Sequence, residues 1–308
     1  MDVSVVVPTL NGREQLGACL DALAANAPAA EVVVVNGPSA DGTSGMVRDR
    51  DDVDVLVEID ERNINVARNA GLDRASGDVI AFVDYSLAVE DGWFTALREG
   101  IAAVPTDGDH RGGVTGPTHR QLRAGVTTEN EEVREIRGRE VRYFNGGNVA
   151  FRREAIEGID GFDEYLRTGG ARDAAHRLAG LDYEVAWRSG MCVRREIEAD
   201  GGRKERDWRW RYRSLAYRLV KNYGFRPGVV YRLLRHAGTD AVEGLRGVAS
   251  GDRSPSSWLA SGRDVVRGGF RGAAEGFLAR LRDRDPRRNP SGWSRRTDRA
   301  VTVDDRRG

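Results

Sequence analysis

The chain has 308 residues, about twice the length of a typical domain, which leaves room for one catalytic domain and an appendage. Its formal net charge of zero is a cancellation: residues 1–200 carry 22 arginines and 36 acidic side chains, net −14, and residues 201–308 carry 26 basic and 12 acidic ones, net +14. No apolar run approaches the roughly 20 residues that cross a bilayer, and Met1 to Pro8 lacks the basic start of a secretion signal, so neither a spanning nor a secreted protein is expected.

The first third alternates in the way that builds a parallel sheet. SVVV (Ser4 to Val7), EVVVV (Glu31 to Val35), VDVLVEI (Val53 to Ile59) and DVIAFV (Asp78 to Val83) are short β-branched runs, the signature of strands covered on both faces. Helical stretches separate them, with Leu16, Leu20 and Leu23 at helical spacing and Asp41 placed to cap a helix beginning near Gly42. This βαβα order predicts an α/β domain. A polar, turn-rich stretch follows from Pro105 to Arg139, and Tyr143 to Arg152 returns to strand-like sequence. From Trp208 the pattern becomes helical, with Trp208, Tyr212, Leu215, Leu219 and Tyr223 interleaved with arginines. Asp283 to Gly308 reads as a disordered tail. The expected organisation is a catalytic domain over 1–200, a basic amphipathic helical extension over 201–284 and the tail over 285–308. Cys19 and Cys192 fit no metal spacing and read as buried small hydrophobes in a reduced compartment.

Chemistry-bearing residues gather at the ends of the predicted strands: Pro8 and Thr9 after the first, Asn36 and the turn through Asp41 after the second, Asp84 after the fourth. Ligands bind at the carboxyl ends of strands in such sheets, and a carboxylate there can hold a cation. Backbone N–H groups of a glycine-containing turn and helix N-termini nearby favour phosphate.

The order of these blocks resembles family 2 glycosyltransferases, the inverting nucleotide-sugar enzymes with the GT-A fold, over roughly residues 3–190. VSVVVPTLNGREQLGACLDAL looks like the family's opening strand and helix, and VVVVNGPSADGT like its second strand and turn. NVARNAGLDRASGDVIAFVD looks like the run leading to its metal-binding aspartates, and FNGGNVAFRREAIEGIDGFDE like its acceptor-side strand and turn. The resemblance implies a Rossmann-like central, mostly parallel sheet flanked by helices. It implies a base pocket at Pro8, Thr9, Asn36 and Asp41, a diphosphate corner at Arg68, Asn69 and Asp84, and Mg²⁺ or Mn²⁺ held by Asp84. Gly146, Gly147, Asn148, Arg172 and Arg177 fall on the acceptor side. Two positions depart from the family pattern: Ser86 stands where a second metal aspartate belongs, and the family's Glu-Asp pair, whose Asp is the general base, falls on Gly170 and Ala171. Asp173 is then the expected base, with Asp163 also in reach, because an acceptor hydroxyl needs a positioned carboxylate to take its proton. A lipid phosphate acceptor would need none.

Arg209 to His236 carries seven arginines and Lys221 among Trp, Tyr, Leu and Val, and Val265 to Leu281 repeats the arrangement with Phe270, Phe277 and Leu278. Such helices either lie on an anionic membrane surface or pack on the acidic domain. No nucleic-acid module organises the basic residues, so nucleic acid is not an expected partner. The sparse lysine and abundant Arg, Asp and Gly suit a salt-adapted source. With the resemblance, the expectation is an archaeal protein N-glycosylation type of enzyme. It would move a hexose or hexuronic acid from a nucleoside diphosphate, UDP first, to a polyprenol/dolichol-phosphate-linked acceptor at the cytoplasmic face of the membrane or in the cytoplasm. The rival expectation is a catalytically silent nucleotide-sugar or glycan-binding module of the same fold.

Overall fold

The computed structural model describes residues 1–103, 110–122, 125–128, 130–136, 138–195, 207–252 and 254–307. They fall into two units, Met1–Asp200 with Ser291–Gly308, and Gly201–Pro290. The first begins as a run of alternating strands and helices: β1 (Val3–Thr9), α1 (Arg13–Asn26), β2 (Glu31–Asn36), α2 (Thr43–Arg48), β3 (Val55–Glu58), α3 (Ile64–Arg74) and β4 (Val79–Val83). It continues with β5 (Leu87–Val89), α4 (Trp93–Ala102), β6 (His110–Thr115), β7 (Thr118–Leu122), β8 (Gly125–Thr128), β9 (Glu132–Ile136), β10 (Arg139–Tyr143) and β11 (Asn148–Arg152). Then come α5 (Arg153–Gly158), α6 (Gly170–Gly180), β12 (Tyr183–Trp187) and β13 (Val193–Arg195). The second unit holds α7 (Trp208–Tyr223), α8 (Pro227–Ala249) and α9 (Pro255–Arg282), after which β14 (Thr302–Asp305) returns to the first.

Eight strands form the main sheet in the order β12-β6-β11-β4-β1-β2-β3-β14. The four β-branched runs make its centre, where β4, β1, β2 and β3 pair in parallel. Outside that block the sheet is mixed: β11 runs antiparallel to both β4 and β6, and β14 antiparallel to β3, while β12 is parallel to β6. The stretch expected to be turn-rich carries β6 to β9 within its described residues, two of which join a second sheet, β5-β13-β7-β8. Alternation of short polar and β-branched residues there was masked by glycines and charges.

Central strands are buried on both faces, as their composition requires; Val5, Val6, Val7, Val33, Val34 and Val35 have no measurable exposure. One face packs on Leu16, Leu20 and Leu23 of α1 and on Trp93 and Leu97 of α4. On the other, α3 comes down onto β1 and β2 at Gly71, where an added Cβ would stand 2.2 Å from Val6. That contact matters for the site. A crossover helix starts at the carboxyl edge of the sheet, so seating α3 at Gly71 fixes its first turns, with Arg68, over the strand ends.

The tail expected to be disordered is instead structured. Thr302–Asp305 pairs with Val55–Glu58, and a short 3-10 turn at Trp293–Arg295 precedes it. Arg299, 1% exposed, bridges Glu164 at 2.5 Å and Asp73 at 3.3 Å. Asp160 accepts from Ser294 N at 2.8 Å and Ser294 Oγ at 2.9 Å. Low hydrophobicity concealed a segment whose arginines and Trp293 satisfy partly buried acids of the catalytic unit.

In the helical unit, α7 and α9 run parallel with their backbones in contact. Gly268, Gly272 and Gly276 repeat every fourth residue on α9, and a Cβ at each would lie 2.2, 2.0 and 2.4 Å from the carbonyl oxygens of Arg209, Arg213 and Tyr217. Arg213 and Glu275 add an ion pair at 2.7 Å. Among the described residues no helix is long and apolar enough to cross a membrane.

Arg299→Ala is expected to destabilise the first unit by about 3 kcal/mol or more, because Glu164 stays buried without its main cation. Urea unfolding followed at the catalytic unit measures it.

Candidate functional site at the carboxyl edge of the sheet

Three loops leaving the carboxyl ends of β1, β2 and β4 are tied into one surface. Asn11, in the left-handed region at φ 51°, accepts from Ala40 N at 2.9 Å, and its own N–H donates to Ser39 Oγ at 2.8 Å. Arg13 N donates to Asp41 Oδ2 at 3.1 Å. Gly12 lets Tyr85 lie against its backbone, since a Cβ there would stand 2.1 Å from the ring. Pro8 and Thr9 are buried at the end of β1, and Thr9 Oγ1 has no hydrogen-bond partner among the described residues. A buried hydroxyl left unpaired is costly unless a ligand completes it.

The deepest part of this edge is built on Arg68. The residue is 8% exposed, and its guanidinium donates to Gly146 O at 2.8 Å and Asn65 Oδ1 at 3.2 Å and stacks over Phe162 at 5.0 Å. Nε is buried without a partner among the described residues. Burial pushes its pKa down to about 10, an effect that the nearby Asp84 charge opposes, so the group is cationic at neutral pH. Asp84 stands at the end of β4, where Ser86 N and Oγ donate to its Oδ1 at 3.0 and 2.7 Å. No hydrogen bond from a described residue falls on Oδ2. Gly147 makes the close approach possible: a Cβ would lie 2.5 Å from that of Asp84, and one at Gly146 would lie 2.6 Å from the Arg68 guanidinium. Beneath them, burial first and the Asp84 charge second push the Cys19 thiol pKa up. Cys19 is therefore an inert packing residue, as expected; Cys192 is only partly buried.

This arrangement can receive an anion and a cation together. Arg68 offers charge and an unused N–H, Asp84 an oxygen ligand, and both are single residues on rigid elements. The fit to a divalent cation is that of a one-carboxylate site, in which Ser86 orients Asp84 instead of adding a ligand. Mg²⁺ accommodates this by keeping several waters.

Several residues expected here are engaged in holding the frame. Asn36 spends its amide on Ser44 at 2.8 Å and Ser39 at 2.7 Å, ordering the β2 turn instead of presenting to a base. Asp41 accepts from Thr43 N at 3.2 Å and from its hydroxyl at 2.5 Å, one residue before Gly42, the observed N-cap of α2. Asn69 is fully buried and grips Phe162 through both N–H and carbonyl at 2.8 Å. Asn148 is likewise buried, accepting from Trp93 Nε1 at 2.9 Å and donating to Met191 O at 2.9 Å. Asp163 is enclosed and accepts from Tyr165 N at 3.0 Å.

The base expected at Asp173 meets the same fate. Its side chain and that of Arg177 are both 0% exposed and form an ion pair at 2.8 Å. Arg177 also donates to Gly161 O at 2.9 Å and to Ile159 O. An enclosed, paired carboxylate cannot touch an acceptor, and an enclosed guanidinium cannot position one, so both belong to the packing of α6. Arg172 is accessible but engaged by Glu132 at 2.6 Å and stacked over Tyr143 at 4.3 Å. His176 packs edge-on against Tyr143.

Asn65, Asn11 and Tyr85 were not foreseen. Asn65 is buried under the site, donating to Leu166 O at 2.6 Å and Asp163 O at 3.2 Å, and a Cβ on Gly170 would stand 2.4 Å from its amide. Its signal was spacing: it lies one helical turn before Arg68 and Asn69.

The family model for glycosyl transferase family 2 matches residues 4–160. The chain belongs to that family and is classed with its glycosyltransferases. It is 29% identical over 200 residues to Glycosyltransferase AglE of Haloferax volcanii, a match covering 60% of this chain and 64% of that protein. It is 28% identical over 109 residues to Glycosyltransferase GlyA of Streptococcus pneumoniae, covering 34% of this chain and 16% of the relative. The chain thus spans less than two thirds of either curated relative. Among solved structures, a mannosyltransferase from Pyrobaculum calidifontis, in complex with GDP-Man and Mn²⁺, superposes with TM-score 0.56 at 21% identity, over 90% of this chain and 86% of that one. TarS 1–349 of S. aureus, in complex with UDP-GlcNAc, does so with TM-score 0.59 at 18% identity, over 94% and 90%. These likenesses establish an α/β fold consistent with GT-A.

Gly147→Ala is expected to displace Asp84 and lower turnover about 100-fold while the protein stays folded. Asp173→Ala, by contrast, should cost about 3–5 kcal/mol of stability, because it strands Arg177 inside. A stable Asp173→Ala protein with no turnover would restore Asp173 as the base. Since Arg68 titrates near 10, anion binding followed by calorimetry should weaken as pH rises through that value, well below the range of an ordinary arginine.

Proposed function

We propose that the chain transfers a hexose or hexuronic acid from a nucleoside diphosphate, UDP first, to a polyprenol- or dolichol-phosphate-linked acceptor, with inversion at C1, in glycan assembly of the protein N-glycosylation kind. The observation that carries this reading is Arg68, a buried cation whose Nε has no partner among the described residues, set beside Asp84 and the glycine backbones at the strand ends. A donor diphosphate supplies the anion such a pocket lacks, and Thr9 and the tied β1 and β2 loops stand where its nucleoside would lie. Asp84 would hold Mg²⁺ or Mn²⁺, which supplies charge neutralisation for the diphosphate as it leaves.

Enclosure of Asp173 favours an acceptor that needs no base. When the acceptor is the lipid phosphate itself, its already ionised oxygen attacks C1 from the face opposite the diphosphate. The C1–oxygen bond to the acceptor forms as the C1–oxygen bond to the nucleoside diphosphate breaks, and no proton moves. Arg68 stabilises the charge that develops on the leaving group.

A lipid acceptor also suits the helical unit. Tyr231, Leu234, Val242 and Leu245 of α8 and Leu259, Val266, Phe270 and Leu278 of α9 are 49–78% exposed, among arginines of the same helices. A hollow of about 600 Å³ lined by Trp208, Ala237, Ala241, Trp258, Leu259 and Val266 opens among the three helices. Apolar side chains interleaved with guanidinium groups suit peripheral attachment to an anionic cytoplasmic leaflet.

The test is turnover with UDP- and GDP-sugars, Mn²⁺ and a polyprenyl phosphate in liposomes. Transfer is expected, abolished by Asp84→Ala and reduced about 1,000-fold by Arg68→Met. Donor binding without transfer to any acceptor would establish the rival reading, a binding module, which draws on the same enclosure of Asp173. Flotation with anionic liposomes that ignores salt and the loss of residues 208–290 would overturn the attachment.

A further inference from the structure

Apart from the sheet edge that carries Asp84, a second set of metal-ligating side chains is brought together by the small sheet β5-β13-β7-β8. Glu90 follows β5 directly, Cys192 precedes β13 directly, and His119 is the second residue of β7. They are far apart in sequence, and only the pairing of three strands unites them. Val193 registers with Val89 across the antiparallel β13–β5 pair and with Thr118 across the parallel β13–β7 pair. Glu90 N donates to Cys192 O at 3.0 Å, so those two residues continue the β5–β13 ladder by one step. His119 registers with Arg194, two residues beyond Cys192. Because side chains alternate along a strand, Cys192, its cross-strand neighbour Glu90, and His119 all project from one face.

One ligand atom from each of the three lies within 4.8 Å of the other two, and all three residues are partly buried. His119 Nδ1 and Glu90 Oε2 are 3.0 Å apart. Around a tetrahedral ion with Zn–S, Zn–N and Zn–O lengths of about 2.3, 2.0 and 2.0 Å, ligand atoms stand roughly 3.3–3.5 Å from one another. Cys192 Sγ donates to Ser189 O at 2.7 Å, a bond that ligation of the thiolate would replace. Arg194 shares the face and is exposed.

We propose that Glu90, His119 and Cys192 form a zinc-class metal site, with water in the fourth position, that staples β5, β13 and β7 together. A thiolate and an imidazole select a borderline-soft ion such as Zn²⁺ over Mg²⁺ or Mn²⁺. The site is thereby different in kind from the oxygen-lined corner at Asp84. Its place gives it a mechanical role: β5 begins three residues after Asp84, so a clasp at the far end of β5 steadies the turn that presents that carboxylate.

The experiment uses the full chain, stripped with chelator and titrated with Co²⁺ as a spectroscopic stand-in and with Zn²⁺ in equilibrium dialysis. A thiolate-to-cobalt charge-transfer band in the near ultraviolet, saturating at one equivalent, is expected in the parent and in Asp84→Asn. The band should vanish in Cys192→Ser. Zn²⁺ affinity should fall about 100-fold or more in His119→Ala and in Glu90→Gln, since loss of a direct ligand costs at least as much as loss of an outer partner. The unsubstituted protein decides the matter by itself: no thiolate band at any Co²⁺ concentration overturns the site. So does a band that survives in Cys192→Ser, or one that disappears with Asp84→Asn.

Discussion

Side chains from two helices, together with the returning 291–299 segment, hold the turn from Ile159 to Leu166, and the rest of the active edge is built on it. Asn63, Asn65 and Asn69 of the α3 region reach its backbone at Glu164, Asp163, Leu166 and Phe162, while Arg177 of α6 reaches it at Ile159 and Gly161. A mostly buried segment with irregular backbone, in which only Glu164 and Tyr165 are partly exposed, can exist only if its amide groups are paired elsewhere. Ser291 O and Trp293 N supply some of those partners, and three asparagines and one guanidinium supply many of the others. In doing so they fix the distance between α3, which carries Arg68, and α6, whose first residues close over Asn65 and the Arg68–Gly146 contact. Phe162, from the same turn, is the ring on which Arg68 lies.

From this follows a coherent account of the departure at Gly170 and Ala171. Small residues there let the start of α6 descend onto Asn65 and Gly146, and the nearest acid, Asp173, faces inward to neutralise Arg177. A carboxylate that serves a buried arginine is not at the same time available to an acceptor. The chain has kept the architecture of a sugar transferase while committing this acid to structure. That is compatible with an acceptor that arrives already ionised.

The centre of the fold was plain in the sequence because β-branched runs without alternation have few other homes than a sheet covered on both sides. The positions of Asp84 and Arg68 in the fold were legible for the same reason: Asp84 directly follows β4 and Arg68 lies within the first two turns of α3. What escaped was anything decided by long-range partners. Asn36, Asn69 and Asn148 are polar residues beside a ligand edge, and sequence cannot say whether an amide faces solvent or a backbone carbonyl. Asp173 and Arg177 sit four apart on a helix, a spacing equally good for an exposed pair and an enclosed one. The tail looked disordered because its few apolar residues are outnumbered by arginines, yet those arginines have acids waiting for them. Cys192 and His119 showed no motif because strand pairing, not spacing, makes them neighbours.

β14 pairs with β3 across the whole helical unit in chain order. A ribosome emits β3 well before β14, with the helical unit between them, so while that unit is being made the outer N–H and C=O groups of β3 face solvent without a ladder. The nascent sheet therefore waits with β3 as its flank until β14 arrives. Four hydrogen-bonding residues that contribute little to the core thus decide when the buried, valine-rich β3 is covered and the edge passes to the acid-bearing, mostly exposed β14.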